Sequence, residues 1–169
     1  MSLSKLIIPP YDHVLDESVW VKIVAENFYG DSLISEPGNG GLVKLVPDAP
    51  VNLANDPIVT SDLRIKFTWQ EGASNGGDTV LDFDIYYDQG YGGDTFILLT
   101  SNVVTAHYTT TVTLINDVNY SFKVTARNTV GSGLQSQAVT ILAARVADAP
   151  VNLANVPSIT TAYQIGITW

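Results

Sequence analysis

Tyr120-Ser121-Phe122-Lys123-Val124-Thr125-Ala126-Arg127-Asn128 decides the fold. Tyr120, Phe122, Val124 and Ala126 alternate with Ser121, Lys123, Thr125 and Arg127. Successive side chains of a strand point to opposite faces, so this is a strand with one buried and one solvated side. The pattern spreads in both directions. Leu63, Ile65, Phe67 and Trp69 alternate with polar residues, and so do Phe83, Ile85 and Tyr87. Turn chemistry lies between: Asn75-Gly76-Gly77-Asp78, Gly90-Tyr91-Gly92-Gly93-Asp94, Asn116-Asp117 and Gly131-Ser132-Gly133. No helical period competes. The spacing predicts seven strands, near 51–54, 62–70, 79–88, 94–100, 108–114, 119–128 and 134–143. Short antiparallel strands this close together form an all-β sandwich.

The chain also repeats itself. Asp48-Ala49-Pro50-Val51-Asn52-Leu53-Ala54-Asn55 returns unchanged at Asp148–Asn155, and 13 of 22 positions agree between 48–69 and 148–169, Trp69 and Trp169 among them. Agreement at that level reports duplication. Val21-Lys22-Ile23-Val24-Ala25-Glu26-Asn27, followed by Gly30, likewise matches Phe122–Asn128 followed by Gly131. Three units are expected: 1–46 is the C-terminal part of one repeat, 47–146 is complete, and 147–169 holds the N-terminal strands of a third. Trp169 falls within a strand of the complete unit, so the chain reads as a window of a longer tandem array. The junctions Val46-Pro47-Asp48-Ala49-Pro50 and Val146-Ala147-Asp148-Ala149-Pro150 leave almost no slack, and proline stiffens them.

Composition removes whole classes of function. Of 169 residues, 46% are apolar, enough for a core. The net charge of −9 is opposite to what a phosphate backbone attracts, so no nucleic-acid partner is expected. There is no cysteine, which eliminates disulfides, zinc–thiolate sites and cysteine nucleophiles. No run approaches the roughly 20 apolar residues of a membrane helix, so no membrane span is expected in this window.

With these residues in view, the chain resembles tandem fibronectin type III domains. Pro50-Val51-Asn52-Leu53 is similar to the family's opening segment, Trp69 to its core tryptophan late in the second strand, and Phe83 to the aromatic of its third strand. Leu114 and Tyr120 match the spacing of its tyrosine corner, with Asn116 in place of proline. Ala126, Asn128 and Gly131 match the end of its sixth strand. The resemblance implies immunoglobulin-like, seven-stranded Greek-key β-sandwiches in tandem, with Trp69, Phe83, Ile85, Leu114, Tyr120, Phe122 and Val124 in the core. The flavour of the repeats is similar to large repetitive surface proteins of protists. The first unit departs from the pattern: His13 replaces the corner leucine and Val19 the tyrosine, so its corner bond is absent or supplied differently. The family's Arg-Gly-Asp sequence is missing; the loop reads Thr129-Val130-Gly131-Ser132.

Each candidate site has a plainer alternative. Glu71, Asp78, Asp82, Asp84, Asp88 and Asp94 form an acidic stripe that suits a basic partner or calcium, but no tightly spaced ligand loop exists. The structural reading is stronger, with Asp82 and Asp84 facing Lys123 and Arg127 across a strand pair. Trp20 and Val24 fall on the solvated face of the first unit's strand, near Phe28 and Tyr29, and read as a contact surface; a register slip would instead turn Trp20 inward. Tyr91, in its glycine-rich loop, is the best residue for loop-borne recognition. His13 and His107 show no partner and read as loop or edge residues. Asn119-Tyr120-Ser121 is a glycosylation sequon, placed at the turn before a strand. Thr109-Thr110-Thr111 are candidates for O-linked sugar.

No catalytic residue, metal ligand or cofactor is expected, and the chain does not read as an enzyme. The first functional expectation is a structural repeat module of an extracellular fibre or cell-surface protein, whose partners are adjacent repeats or neighbouring copies. The second is an adhesive or recognition module that binds a protein or glycan through its loops. The third is an accessory module of a secreted carbohydrate-active enzyme.

Overall fold

The computed structural model describes residues 7–169. Thirteen strands occur: β1 (Ser18–Val21), β2 (Glu26–Asn27), β3 (Gly30–Asp31), β4 (Gly38–Leu42), β5 (Val51–Asn55), β6 (Lys66–Gln70), β7 (Asp82–Tyr87), β8 (Ile97–Val103), β9 (His107–Thr109), β10 (Val118–Arg127), β11 (Val139–Ala143), β12 (Ala154–Asn155) and β13 (Ile167–Thr168). Among the described residues there is no helix.

Residues 47–146 contain the sandwich. One sheet has the order β5-β6-β9 and the other β11-β10-β7-β8, all neighbours antiparallel. The chain crosses between the sheets after β6, β8 and β9, the interleaved order of a Greek key. The core forms because the alternating residues of β6, β7 and β10 all face inward. Ile65, Phe67, Trp69, Phe83, Ile85, Tyr120, Phe122, Val124, Ala126, Ile141 and Ala143 are buried, with Leu114 packed against them half-covered. Aromatic rings join the two sheets: Phe67 stacks on Phe122 at 4.7 Å, and Trp69 meets Phe83 edge-on at 5.4 Å. Such pairs add about 0.5–1.5 kcal/mol each beyond area burial.

The corner before β10 is closed by Tyr120, whose hydroxyl accepts the Ile115 N–H at 2.9 Å. Tyr120→Phe removes this acceptor and keeps the packing. It is expected to lower stability by about 1 kcal/mol in urea titration; an unchanged midpoint would mean that water replaces the bond in full.

Several strand bounds differ from the sequence reading, each for a local reason. The second strand begins at Lys66, because a turn closed by Ser61 N–H to the Arg64 carbonyl (2.8 Å) lifts Leu63 out of the pleat into solvent. The last strand begins at Val139, because Ser136 bonds Val124 through its side chain as well as its N–H and interrupts the ladder. The fifth stops at Thr109, since the Thr110 hydroxyl takes the Ile65 N–H. The fourth is shifted to Ile97–Val103.

The flanking segments repeat pieces of this framework. β12 and β13 pair Ala154 with Thr168 and Asn155 with Ile167, as β5 and β6 pair Ala54 with Thr68 and Asn55 with Phe67. Asn52 and Asn152 both take a left-handed backbone (φ 56° and 57°), which asparagine tolerates better than most residues. β1 pairs with β4 as β10 pairs with β11, and Asp16 and Asp117 share the same left-handed turn (φ 62° and 63°).

Candidate functional site

The tip Asn27-Phe28-Tyr29-Gly30 is a hairpin because Gly30 takes a positive φ of 127° and the Asn27 carboxamide accepts the Tyr29 N–H at 2.8 Å. β2 and β3 are its two short arms. The turn leaves Phe28 and Tyr29 bare, 96% and 94% exposed, in edge contact with each other at 5.5 Å. A surface hollow of about 320 Å³ beside Tyr29 is lined by Ala25, Asn27 and Ser32 among others. Trp20 lies on β1 opposite Asn39 and is 63% exposed; Val24 is exposed as well. Trp20 is not turned inward. However, Val21, the last residue of β1, and Ile23 just beyond it are exposed too. The separation into a solvated and a covered face, which holds for Tyr120, Phe122 and Val124, does not hold here, because among the described residues β1 pairs with β4 alone and no second sheet lies over it. Tyr91 stands 84% exposed on the turn between β7 and β8, closed by its own N–H to the Asp88 carbonyl.

Three of the six carboxylates of the acidic stripe, Asp78, Asp82 and Asp88, are occupied by the protein's own donors. Asp82 lies opposite Arg127, whose Nε donates to it at 2.9 Å. Asp84 faces Thr125, and Lys123 faces Tyr86 with its ammonium 4.2 Å from the Phe96 ring centre. The expectation that Asp82 and Asp84 both face Lys123 and Arg127 is therefore corrected: the register joins only Asp82 and Arg127. Asp88 is buried and accepts the N–H groups of Gly90 and Ser121 at 2.9 and 3.0 Å. The Thr129 hydroxyl bonds the Asp78 carboxylate, and this bond is the main reason its pKa lies below the ordinary value. Among the described residues no group of three or more His, Asp or Glu is arranged to hold a metal ion.

His13 does have a partner, contrary to the sequence reading. Its Nδ1 is 3.1 Å from a carboxylate oxygen of Glu17. The same oxygen accepts the Val14 N–H at 2.9 Å, at the position where Ile115 bonds Tyr120. The missing tyrosine corner is thus rebuilt from a carboxylate. The Val14 N–H, and then His13, hold the Glu17 pKa below its usual 4.5. A lowered folded pKa means the bond stabilises above the unfolded value and is lost as pH falls through the folded one. In an acid titration below pH 4.5 the Val14 amide resonance is expected to move while Ile115, held by a neutral hydroxyl, stays in place. A static Val14 would count against the Glu17 bond.

Asn119 lies not before the strand but as the second residue of β10, opposite Leu142, with its side chain exposed. Thr110 is buried and holds Ile65, which removes it from the candidate sugar sites. His107, on β9, is exposed. No helix of the described residues is long and apolar enough to cross a membrane.

Two packed antiparallel sheets with this crossing order and a tyrosine corner define an immunoglobulin-like sandwich. The fibronectin type III domain matches residues 48–142, and the chain belongs to that family. Its members are non-catalytic modules, commonly structural or binding parts of multidomain proteins. Among solved structures, a crystal structure of consecutive titin domains matches with a TM-score of 0.57 and 21% identity, over 76% of this chain and 41% of that one. The fourth fibronectin type III domain of a human protein matches at 0.52 and 18%, over 64% and 88%. The twitchin kinase region of C. elegans matches at 0.52 and 20%, over 60% and 17%. At these identities the likeness is one of fold, and the chain spans less than half of the titin structure. No curated protein matches it by sequence.

Proposed function

We propose that the chain is a structural repeat module of an extracellular fibre or cell-surface protein, with 1–46, 47–146 and 147–169 as parts of three stacked units. One observation carries the reading: the 48–55 motif at 148–155 recurs with the same strand register and the same left-handed asparagine. Duplicated units on short junctions repeat one contact along a line, and a head-to-tail contact that does not close gives a filament. The partners are adjacent repeats or neighbouring copies, and the exposed Trp20, Val24, Phe28 and Tyr29 supply lateral contacts. Electron micrographs of the native source are expected to show regular filaments; dispersed particles would overturn the reading. Trp20→Ser is expected to leave the melting temperature unchanged and to weaken assembly, read by light scattering. A shift in melting without a change in assembly would remove Trp20 from the contact.

A second reading, recognition of a protein or glycan by loops, is favoured by one observation, the 84% exposure of Tyr91 between Gly90 and Gly92. For a secreted chain, the exposed Asn119 is the glycan attachment point.

A further inference from the structure

Leu45-Val46-Pro47-Asp48 is more than a connector. Its backbone lies in a groove between two turns of the following sandwich, Asn75–Asp78 and Asn128–Gly133. The Leu45 N–H donates to the Gly76 carbonyl at 2.9 Å, and its carbonyl accepts from the Asn128 carboxamide at 2.8 Å. The second N–H of that carboxamide reaches the Asn75 carbonyl at 2.9 Å. Its oxygen accepts the N–H groups of Val130 and Gly131 at 2.9 and 3.2 Å. A primary amide has two donors and two lone pairs, and Asn128, which is buried, uses all four. Asp48 and Ser74 exchange two bonds, Asp48 N–H to the Ser74 carbonyl at 2.9 Å and Ser74 N–H to the Asp48 carboxylate at 3.0 Å. Lys44 closes the other end, its ammonium 2.6 Å from the Gly77 carbonyl and 4.0 Å from Asp16. Pro47 is buried, as is Val43, which alone among residues 7–46 is fully covered.

We infer that these two turns form a binding seat for an extended, proline-containing linker, and that Asn128 and Lys44 fix the orientation of residues 7–46 against residues 47–146. The inference rests on the stacked-unit reading and names the contact that makes the stack rigid. Asn128 acts on both sides at once. Its oxygen shapes the turn, and its nitrogen holds the preceding linker. Lys44 ties β4 of one segment to the loop of the next through a charged donor, the stronger kind of hydrogen bond.

The test uses the whole chain and the absence of native cysteine. Nitroxides at Lys22→Cys and Ser101→Cys, both exposed, report the distance between segments by pulsed electron resonance. The parent is expected to give one narrow distribution. Asn128→Asp keeps the acceptor that builds the turn and replaces the two donors, setting a carboxylate against two carbonyls; its distribution is expected to be at least twofold broader. Lys44→Ala, which removes a half-exposed side chain and leaves the sandwich untouched, is expected to broaden it as well and decides the matter should Asn128→Asp fail to fold. A broad parent distribution, or a narrow one in Lys44→Ala, overturns the inference. Dispersed particles in the micrographs beside a narrow parent distribution would overturn the filament reading and leave the seat standing.

Discussion

Trp69→Ala is expected to cost the 47–146 sandwich about 3–5 kcal/mol, the largest loss any single side chain here should produce. Trp69 is buried on β6 between Phe67, at 5.6 Å, and Phe83, at 5.4 Å. Among the described residues its indole N–H has no partner, so truncation removes apolar contact and leaves a cavity without freeing a polar group of the protein. The backbone bond from Trp69 N–H to the Ala106 carbonyl is independent of the side chain. A domain stable by roughly 5–15 kcal/mol keeps little after such a loss. Urea unfolding followed by circular dichroism is the measurement, because the substitution removes the sandwich's own tryptophan and leaves Trp20 and Trp169, which lie outside residues 47–146. Trp20→Ser is the matched control: the same residue type, exposed, should change stability by no more than about 0.5 kcal/mol. Equal losses in the two variants would refute the assignment of the core.

Gly133→Ala should cost about 3 kcal/mol, the upper end of the overpacking range. A β-carbon built there would stand 2.1 Å from the Pro47 carbonyl oxygen. Neither side yields easily. Gly133 N–H is bonded to the Ala126 carbonyl at 2.8 Å, and Pro47 is buried between the bonded residues Leu45 and Asp48. Relief therefore requires the linker to leave its groove. Amide exchange at Leu45 and Asp48 should accelerate together with the fall in melting temperature. A fall in melting with both amides still protected would place the strain within the 131–134 loop instead. Gly76→Ala is a less clean probe of the same groove, since its φ of 75° adds backbone strain to a 2.1 Å clash with the Leu45 carbonyl.

The sandwich was legible in the sequence because its signal is local. Phe122, Val124, Phe83 and Ile85 alternate with polar neighbours, and alternation alone tells which face is covered. The duplication was legible because identical residues at 48–55 and 148–155 need no physics to recognise. What escaped has one cause: it depends on partners distant in sequence or on a substituted group. Asn128 reaches Leu45 across 83 residues of chain, and nothing in Ala-x-Asn-x-x-Gly announces the reach. Glu17 performs the corner bond of Tyr120 with different chemistry, so spacing could not find it. Asp84 and Lys123 looked like a pair by charge, but the ladder register set them against Thr125 and Tyr86. Leu63 fitted the alternation and yet lies outside the strand, because the Ser61–Arg64 turn, not hydrophobicity, sets where the pleat begins.

The two linkers share Asp-Ala-Pro and the valine two residues before it but differ at the other preceding positions. Where the first has Lys44 and Pro47, the second has Ala144 and Ala147. A methyl group cannot donate to a glycine carbonyl, and alanine does not restrict φ as proline does. Arg145, the counterpart of Leu45, instead pairs with Asp148 at 3.2 Å. Twist and bend along the proposed array would then vary from step to step, written separately into each connection, so exchanging one four-residue connector for the other should alter its curvature without touching a single domain.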